Sequence, residues 1–148
     1  MSPSRPALAD EDYRRLLAFR SELRDFLRWS EEAAHDAGLT PALHQLLLAV
    51  RGHPAPEGPT VGDAARALHI RHHSAVELAQ RAETAGLLRR ERDPEDQRTL
   101  HMQLTPLGRN RLEALTRQHL PRIAALAGAL DRVVDLQPRA GQPASIIG

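Results

Sequence analysis

The sequence contains no cysteine, and that absence excludes several classes of site at once. Without thiols the chain can form no disulfide framework, no thiolate metal site and no thiol redox switch. Long apolar runs are missing too, since no stretch approaches the ~20 residues of a membrane-spanning helix and the N-terminus lacks the apolar segment of a signal peptide. These absences predict a soluble cytoplasmic protein with no membrane partner.

Lysine is also absent, so arginine supplies all 20 basic residues against 19 acidic ones, and the formal net charge is +1. The charge is uneven: residues 60–104 carry seven arginines and seven acids, whereas residues 105–148 carry six arginines and three acids. Nucleic-acid-binding proteins are typically strongly basic, whereas this chain is almost neutral. Composition therefore supports nucleic-acid binding only weakly. Four of the eight histidines lie in residues 60–104, where neighbouring phosphates would favour their protonated form.

Motifs of catalysis and metal binding are missing as well. The sequence shows no glycine-rich phosphate loop, nucleophile elbow or paired catalytic residues, and no H-E-x-x-H cluster. We therefore predict no enzyme activity, no cofactor and no metal site. The spacing of His69 and His73 leaves a metal-responsive regulator as an alternative, but a turn predicted at residues 69–71 would separate the two rings.

A long helix is predicted over residues 10–37, because apolar residues recur there three or four positions apart. Three acidic residues favour its N-terminal end, and Gly38 can end it in the left-handed conformation. About 28 residues at 1.5 Å each span roughly 42 Å, which exceeds a small globular core. The surplus apolar face is predicted to pack on a partner chain, with packing across its own domain as the alternative.

Three shorter helices and a hairpin are predicted next. Thr40-Pro41 is a cap followed by proline and begins the second helix, and the segment from Gly52 to Pro59 is a loop because three prolines and two glycines oppose a helix. Thr60 with Asp63 resembles a capping box before the third helix, and the fourth runs up to Gly86. Residues 87–92 and 100–104 then alternate as strands around a turn at residues 93–97.

Two further helices are predicted after the hairpin. Thr105-Pro106 begins the first, and Pro121 is expected to break it or to start the second, which would extend to Leu136. The tail at residues 137–148 is predicted to be disordered. The predicted order is four helices, a hairpin and two helices, a mainly α fold with a small β-hairpin.

Two short helices joined by a three-residue turn and followed by a hairpin form a winged helix-turn-helix, whose second helix enters the major groove of DNA. The residues from Val61 to Leu107 resemble the MarR family of transcription regulators. The motifs that carry the resemblance are Leu68-His-Ile70, Ala85-Gly-Leu-Leu-Arg-Arg90, Asp93-Pro-Glu-Asp-Gln-Arg98 and Leu104-Thr-Pro-Leu-Gly108. The resemblance implies a single MarR-type domain over residues 1–148, with dimerisation helices at 10–37 and 105–136 and a DNA-binding region at 40–104.

Candidate DNA-binding residues follow from this arrangement. The fourth helix is expected to present His72, His73, Ser74, Val76, Glu77, Gln80 and Arg81 to the major groove. Glu77 has two interpretations, a contact with a cytosine amino group or an ion pair with Arg81. Arg71 is a further DNA-binding candidate, and it stands where the family commonly has a capping Ser or Thr.

The predicted wing supplies the remaining DNA contacts. Arg98 resembles the family arginine that enters the minor groove, with Asp96 orienting it. Arg89, Arg90 and Arg92 are expected to meet phosphates.

The resemblance implies a homodimer on a palindromic operator in double-stranded DNA, with repression as the expected direction of regulation. It also suggests a small aromatic or anionic effector. Trp29, His35 and His44 lie on elements that would border its cleft, although core packing or solvent exposure explains them equally well. A winged-helix interaction module without DNA binding is a further alternative, because the predicted reading segment is formally neutral.

Overall fold

A computed structural model describes residues 7–134, and seven elements occupy that range. Their bounds are α1 Asp10–Asp36, α2 Pro41–Arg51, α3 Val61–Leu68, α4 His72–Thr84, β1 Leu88–Arg92, β2 Leu100–Leu104 and α5 Pro106–Val134. This confirms the mainly helical fold with a hairpin wing. The predicted tail at residues 137–148 and the predicted helix end at Leu136 lie outside the described residues.

Local capping fixes where the short helices begin. The Thr40 hydroxyl accepts a hydrogen bond from the Leu43 N–H at 3.2 Å, and Pro41 occupies the first turn of α2. At α3 the Thr60 hydroxyl accepts from the Asp63 N–H at 3.1 Å, while the Asp63 carboxylate accepts from the Thr60 N–H at 3.0 Å. This reciprocal pair is a capping box, as the sequence predicts, and it satisfies N–H groups that a helix start would otherwise leave unbonded.

The predicted break at Pro121 is wrong, because α5 continues through it from Pro106 to Val134. A proline inside a helix removes one N–H donor, here the one that would bond the Arg117 carbonyl. Pro121 and Arg117 are both exposed, so water can bond that carbonyl and the loss is tolerable. One long helix therefore replaces the two that the sequence predicts.

The hairpin is a two-stranded antiparallel sheet with Leu88 opposite Leu104 and Arg92 opposite Leu100. Its second strand has another backbone partner, since the Met102 N–H donates to the Pro59 carbonyl at 2.8 Å. The loop between α2 and α3 thus lies along the free edge of β2. Met102 is fully buried and anchors the hairpin in the core.

Contacts divide the described residues into two units. Trp29–His119 forms one unit, which holds the helix-turn-helix, the hairpin and a core that includes Leu46, Leu47, Leu87, Leu88 and Leu115. The other unit comprises, among the described residues, 7–28 and 120–134. Within residues 7–134, no helix is both long enough and apolar enough to cross a membrane.

Candidate nucleic-acid interface

The turn between α3 and α4 determines where α4 begins. His69 ends α3 in the left-handed conformation, with φ of 54°, and the Ile70 N–H donates to the Ala65 carbonyl at 3.0 Å. Left-handed backbone at this residue turns the chain sharply after α3. The predicted turn at residues 69–71 is therefore present, and α4 begins at His72.

The buried face of α4 is made of small and aliphatic side chains that pack into the core. Its members are Ala75, Leu78, Ala79 and Ala82. Because each residue turns about 100° around an α-helix, the opposite face carries His73, Glu77 and Gln80, which are all exposed. His72 and Arg81 are exposed at its sides, while Ser74 and Val76 are half-buried at the margins of the packed face. The face available to a groove is therefore centred on His73, Glu77 and Gln80.

The side-chain contacts of α4 bear on two predictions from the sequence, which concern Arg71 and Glu77. Arg71 occupies the N-cap position and makes no side-chain capping bond, in line with its departure from the usual Ser or Thr. The ion pair between Glu77 and Arg81 does not form in the described part of the chain. Both side chains are exposed and are left available to other partners.

The turn of the wing is closed by two aspartates. Asp93 Oδ1 accepts the N–H groups of Glu95 and Asp96 at 2.8 and 3.1 Å. Asp96 in turn accepts the Arg98 N–H through Oδ1 at 3.1 Å and the Thr99 hydroxyl through Oδ2 at 2.9 Å. Asp96 thus orients the backbone of Arg98, and among the described residues it makes no bond to the Arg98 guanidinium.

The wing arginines differ in whether their side chains make hydrogen bonds or ion pairs within the described residues. The Arg98 side chain is exposed and has no hydrogen bond or ion pair among the described residues. Arg89 Nε donates to Glu91 Oε1 at 2.8 Å, and Arg92 Nη1 donates to the Gln97 carbonyl at 2.7 Å.

Arg90 differs from these surface residues. It is half-buried, and its Nε lies 3.2 Å from Glu83 Oε2. This arrangement holds Arg90 against α4. Of the four wing arginines, Arg98 alone has a side chain without a hydrogen bond or ion pair among the described residues.

A histidine that the sequence interpretation did not single out links the wing to the α2–α3 loop. His101 Nδ1 lies 2.9 Å from the Gly58 carbonyl oxygen, and Nε2 lies 2.8 Å from Asp93 Oδ2. The bond to Asp93, followed by that to Gly58, raises the pKa of His101, and the same bond to His101 is the main cause that lowers the pKa of Asp93. Gly58 is 43 residues away in sequence, so no local pattern indicates this contact.

Trp29 and His44, two of the three predicted effector residues, lie beside His119, a histidine that the sequence interpretation does not assign to the site. The ring centroid of His119 lies 4.7 Å from that of Trp29 and 5.0 Å from that of His44. His119 is buried, its Nδ1 lies 2.7 Å from the Leu115 carbonyl, and its Nε2 lies 2.7 Å from the Ser30 hydroxyl. Burial, followed by the nearby His119, lowers the pKa of His44. His35 is exposed and is not part of this cluster.

The carbonyl of Leu115 determines the hydrogen positions in this cluster. A carbonyl only accepts, so Nδ1 of His119 carries the hydrogen. In the neutral ring Nε2 is then an acceptor, and the Ser30 hydroxyl donates to it. The predicted effector residues Trp29 and His44 therefore border a histidine whose two ring nitrogens both have hydrogen-bond partners within the Trp29–His119 unit.

Metal binding finds no support within residues 7–134, where no group of three or more histidine, aspartate or glutamate side chains is arranged to hold an ion. His69 lies in the turn before α4, and this separates it from His73 as the sequence predicts.

Comparison with models of protein families finds a match to part of the chain. Residues 37–99 match the MarR family model. No curated protein sequence matches the chain.

Solved structures share the fold. The MepR–DNA complex from Staphylococcus aureus has a TM-score of 0.63 at 20% identity, over 82% of this chain and 85% of that one. The MarR family regulator AbsC from Streptomyces coelicolor has a TM-score of 0.63 at 21% identity, over 91% and 86%. BpsR from Bordetella bronchiseptica, whose DNA binding is regulated by 6-hydroxynicotinic acid, has a TM-score of 0.54 at 24% identity, over 90% and 88%.

Proposed function

We propose that this protein regulates transcription by binding duplex DNA as a homodimer, because residues 37–99 match the MarR family model and the chain folds into a helix-turn-helix followed by a hairpin. The MarR proteins of known structure are described as transcription regulators, in agreement with the prediction that this chain is not an enzyme. The MepR structures include DNA complexes, which supports DNA as the partner here.

One observation carries the proposal. An exposed polar face on α4 is followed directly by a wing whose Arg98 side chain has no partner in the described chain. Histidine and glutamine can hydrogen-bond base edges in the major groove, and Glu77 can accept from a cytosine amino group. An arginine in a narrow minor groove gains from the concentrated negative potential there. The two elements would read one half-site together.

The homodimer is supported by the unit of residues 7–28 and 120–134. Large apolar side chains remain exposed on both of its helices, namely Tyr13, Leu16, Leu17, Leu27, Leu120, Ile123, Leu130 and Val134. A cleft of about 590 Å³ in this unit is lined by Phe19 and Ala129 with several charged residues. Single exposed apolar residues are ordinary, but a set of this size on two helices favours burial by a partner. We take the partner to be a second copy of this chain.

Selection from a random duplex library tests the site and the dimer together. Because a two-fold dimer places two recognition helices about one helical turn apart, the selected DNA should contain an inverted repeat with half-sites ~10 base pairs between centres. Enrichment of single half-sites, or a monomer at micromolar concentration, would contradict the dimer. Loss of all enrichment would contradict DNA binding itself.

An effector site is proposed at the cluster of Trp29, His44 and His119. The indole of Trp29 and the imidazoles offer ring stacking, and the His44 ring can hydrogen-bond a small aromatic anion. The control of BpsR by 6-hydroxynicotinic acid shows that one protein of this fold responds to such a molecule. Bound effector would favour a dimer whose recognition helices are wrongly spaced for DNA, so DNA and effector would weaken each other's binding and the effector would release repression.

Tryptophan fluorescence tests this site, because Trp29 is the single tryptophan of the sequence. Titration with salicylate as probe should change the emission and saturate, and His44→Gln should weaken the apparent affinity. An unchanged affinity in that variant would move the effector site elsewhere. His35→Gln is the matched control, because His35 is exposed and lies outside the cluster.

A further inference from the structure

His101 connects three segments of the Trp29–His119 unit. It lies on β2, its Nε2 meets the carboxylate of Asp93 in the wing turn, and its Nδ1 meets the carbonyl of Gly58 in the α2–α3 loop. An ionised carboxylate and a carbonyl are both acceptors only. A neutral imidazole has one N–H and can serve just one of them. The geometry at both nitrogens therefore matches the doubly protonated ring.

The same carboxylate also closes the wing turn. Asp93 Oδ2 meets His101, while Oδ1 accepts the N–H groups of Glu95 and Asp96. Asp96 then holds the backbone N–H of Arg98. A continuous chain of hydrogen bonds thus runs from the ring of His101 to the arginine proposed to enter the minor groove.

The α2–α3 loop, which accepts the other hydrogen bond of His101, has little freedom to move. Gly58 has a φ of +84°, and a Cβ at this residue would lie 2.1 Å from the Met102 carbonyl oxygen. Gln103 Nε2 also donates to the Glu57 carbonyl at 2.6 Å. Because the loop is held this closely against β2, the bond from His101 to Gly58 gives the wing turn a fixed reference point.

We propose that doubly protonated His101 is a positioning residue for the wing, which ties the Asp93 turn and hence Arg98 to the α2–α3 loop, so that deprotonation of His101 weakens DNA binding. The inference rests on the proposed DNA-binding function and deepens it by adding a proton as a regulator of the wing.

The charges around His101 determine in which direction a change of pH alters DNA binding. Asp93 in the turn and Glu57 in the loop both favour the protonated ring, and Glu91 lies opposite His101 on β1, where it is bonded to Arg89. The pKa of His101 is raised above 6.5, so its contribution is complete below that pH and is lost as the pH rises through the raised value. The pKa of Asp93 is lowered from 3.8, so its contribution is lost only as the pH falls through that lowered value. The hydrogen-bonded arrangement of Asp93, His101 and Gly58, here called the clamp, therefore persists between the lowered pKa of Asp93 and the raised pKa of His101.

The test measures DNA affinity by fluorescence anisotropy from pH 6 to 9 at constant ionic strength, using the full chain and a duplex selected as above. Wild type should lose about three- to tenfold in affinity across this range, the effect of about one hydrogen bond. His101→Gln, which does not titrate, should lack this change. Asp93→Asn keeps an oxygen for the turn but removes the charge, so the midpoint of the change should move to lower pH.

Controls separate His101 from the histidines of α4, whose titration near phosphates would give a change of the same sign. The double variant H72Q/H73Q should retain a change with the wild-type midpoint, and His35→Gln should behave as wild type. A pH dependence that persists in His101→Gln and disappears in H72Q/H73Q would overturn the proposal.

Amide exchange without DNA gives a second readout. The N–H groups of Glu95, Asp96 and Arg98 should exchange faster relative to their intrinsic rates as His101 loses its proton, and His101→Gln should remove that dependence. Protection independent of the His101 titration would overturn the clamp even where DNA binds. Absence of DNA binding at every pH would instead overturn the proposed function, so the two failures are distinguishable.

Discussion

The backbone N–H of Arg98 donates to Asp96 Oδ1 at 3.1 Å, while the guanidinium of Arg98 has no hydrogen bond or ion pair within residues 7–134. The fold therefore fixes where this residue leaves the wing and leaves its charge available. An arginine held at the backbone and free at its head can reach DNA with little rearrangement of the chain.

Asp96→Ala should weaken DNA binding without unfolding the protein. It removes the acceptors of the Arg98 N–H and the Thr99 hydroxyl, each worth about 0.5–1.5 kcal/mol at most in so exposed a turn. We expect a DNA affinity lower by about three- to tenfold and a melting temperature within a few degrees of wild type. Unchanged affinity would show that the turn does not position Arg98. Glu95→Ala is the control, because its side chain makes no hydrogen bond within the described chain.

Two glycines of α5 should respond in opposite directions to alanine. A Cβ at Gly108 would lie 1.9 Å from the Leu87 carbonyl oxygen, so the backbone would have to move, and we expect a loss of about 3 kcal/mol in the free energy of unfolding. At Gly128 a Cβ meets nothing within 4 Å among the described residues, so Gly128→Ala should add about 0.5–1 kcal/mol through helix propensity. Urea unfolding measures both, and equal effects would contradict the packing at Gly108.

Thr60→Ala should destabilise the protein by about 1 kcal/mol, because it removes the hydroxyl that accepts the Asp63 N–H. Thr84→Ala, at the exposed end of α4, is the matched control and should stay within about 0.5 kcal/mol of wild type. Thermal unfolding compares the two. A neutral Thr60→Ala would mean that the capping box contributes nothing to stability.

The stability contributed by His44 should depend on pH in the opposite sense to that of His101. Burial, followed by His119, lowers the pKa of His44 from 6.5, so the folded state disfavours its protonation. Its contribution is complete above pH 6.5 and is lost as the pH falls toward the lowered folded value. The free energy of unfolding of wild type minus that of His44→Gln should therefore decrease between pH 7 and 5. A difference that stays constant would contradict burial of this ring.

Local chemistry explains which parts of the fold were predictable. The capping groups Thr40 and Thr60 act within three residues, and the predicted strands differ from those observed by one residue at most. Pro121 is misleading because a proline inside a helix usually breaks it, whereas here the helix continues and water can bond the exposed carbonyl that loses its N–H partner.

Distance in sequence explains what was missed at the site. His101 and Gly58 are 43 residues apart, and His119 and Ser30 are 89 apart, so only the folded chain brings them together. The predicted Glu77–Arg81 pair was one of two local options, and exposed pairs of this kind contribute too little to be decisive.

The decisive measurement for DNA binding is the affinity of the full chain for the DNA upstream of its own gene, across a salt series and against a scrambled duplex. We predict specific, salt-sensitive binding that Arg98→Ala weakens by ~1 to 3 kcal/mol, while Arg117→Ala on α5 leaves it unchanged. A folded dimer that binds no duplex at low salt would contradict the account and favour a winged-helix interaction module.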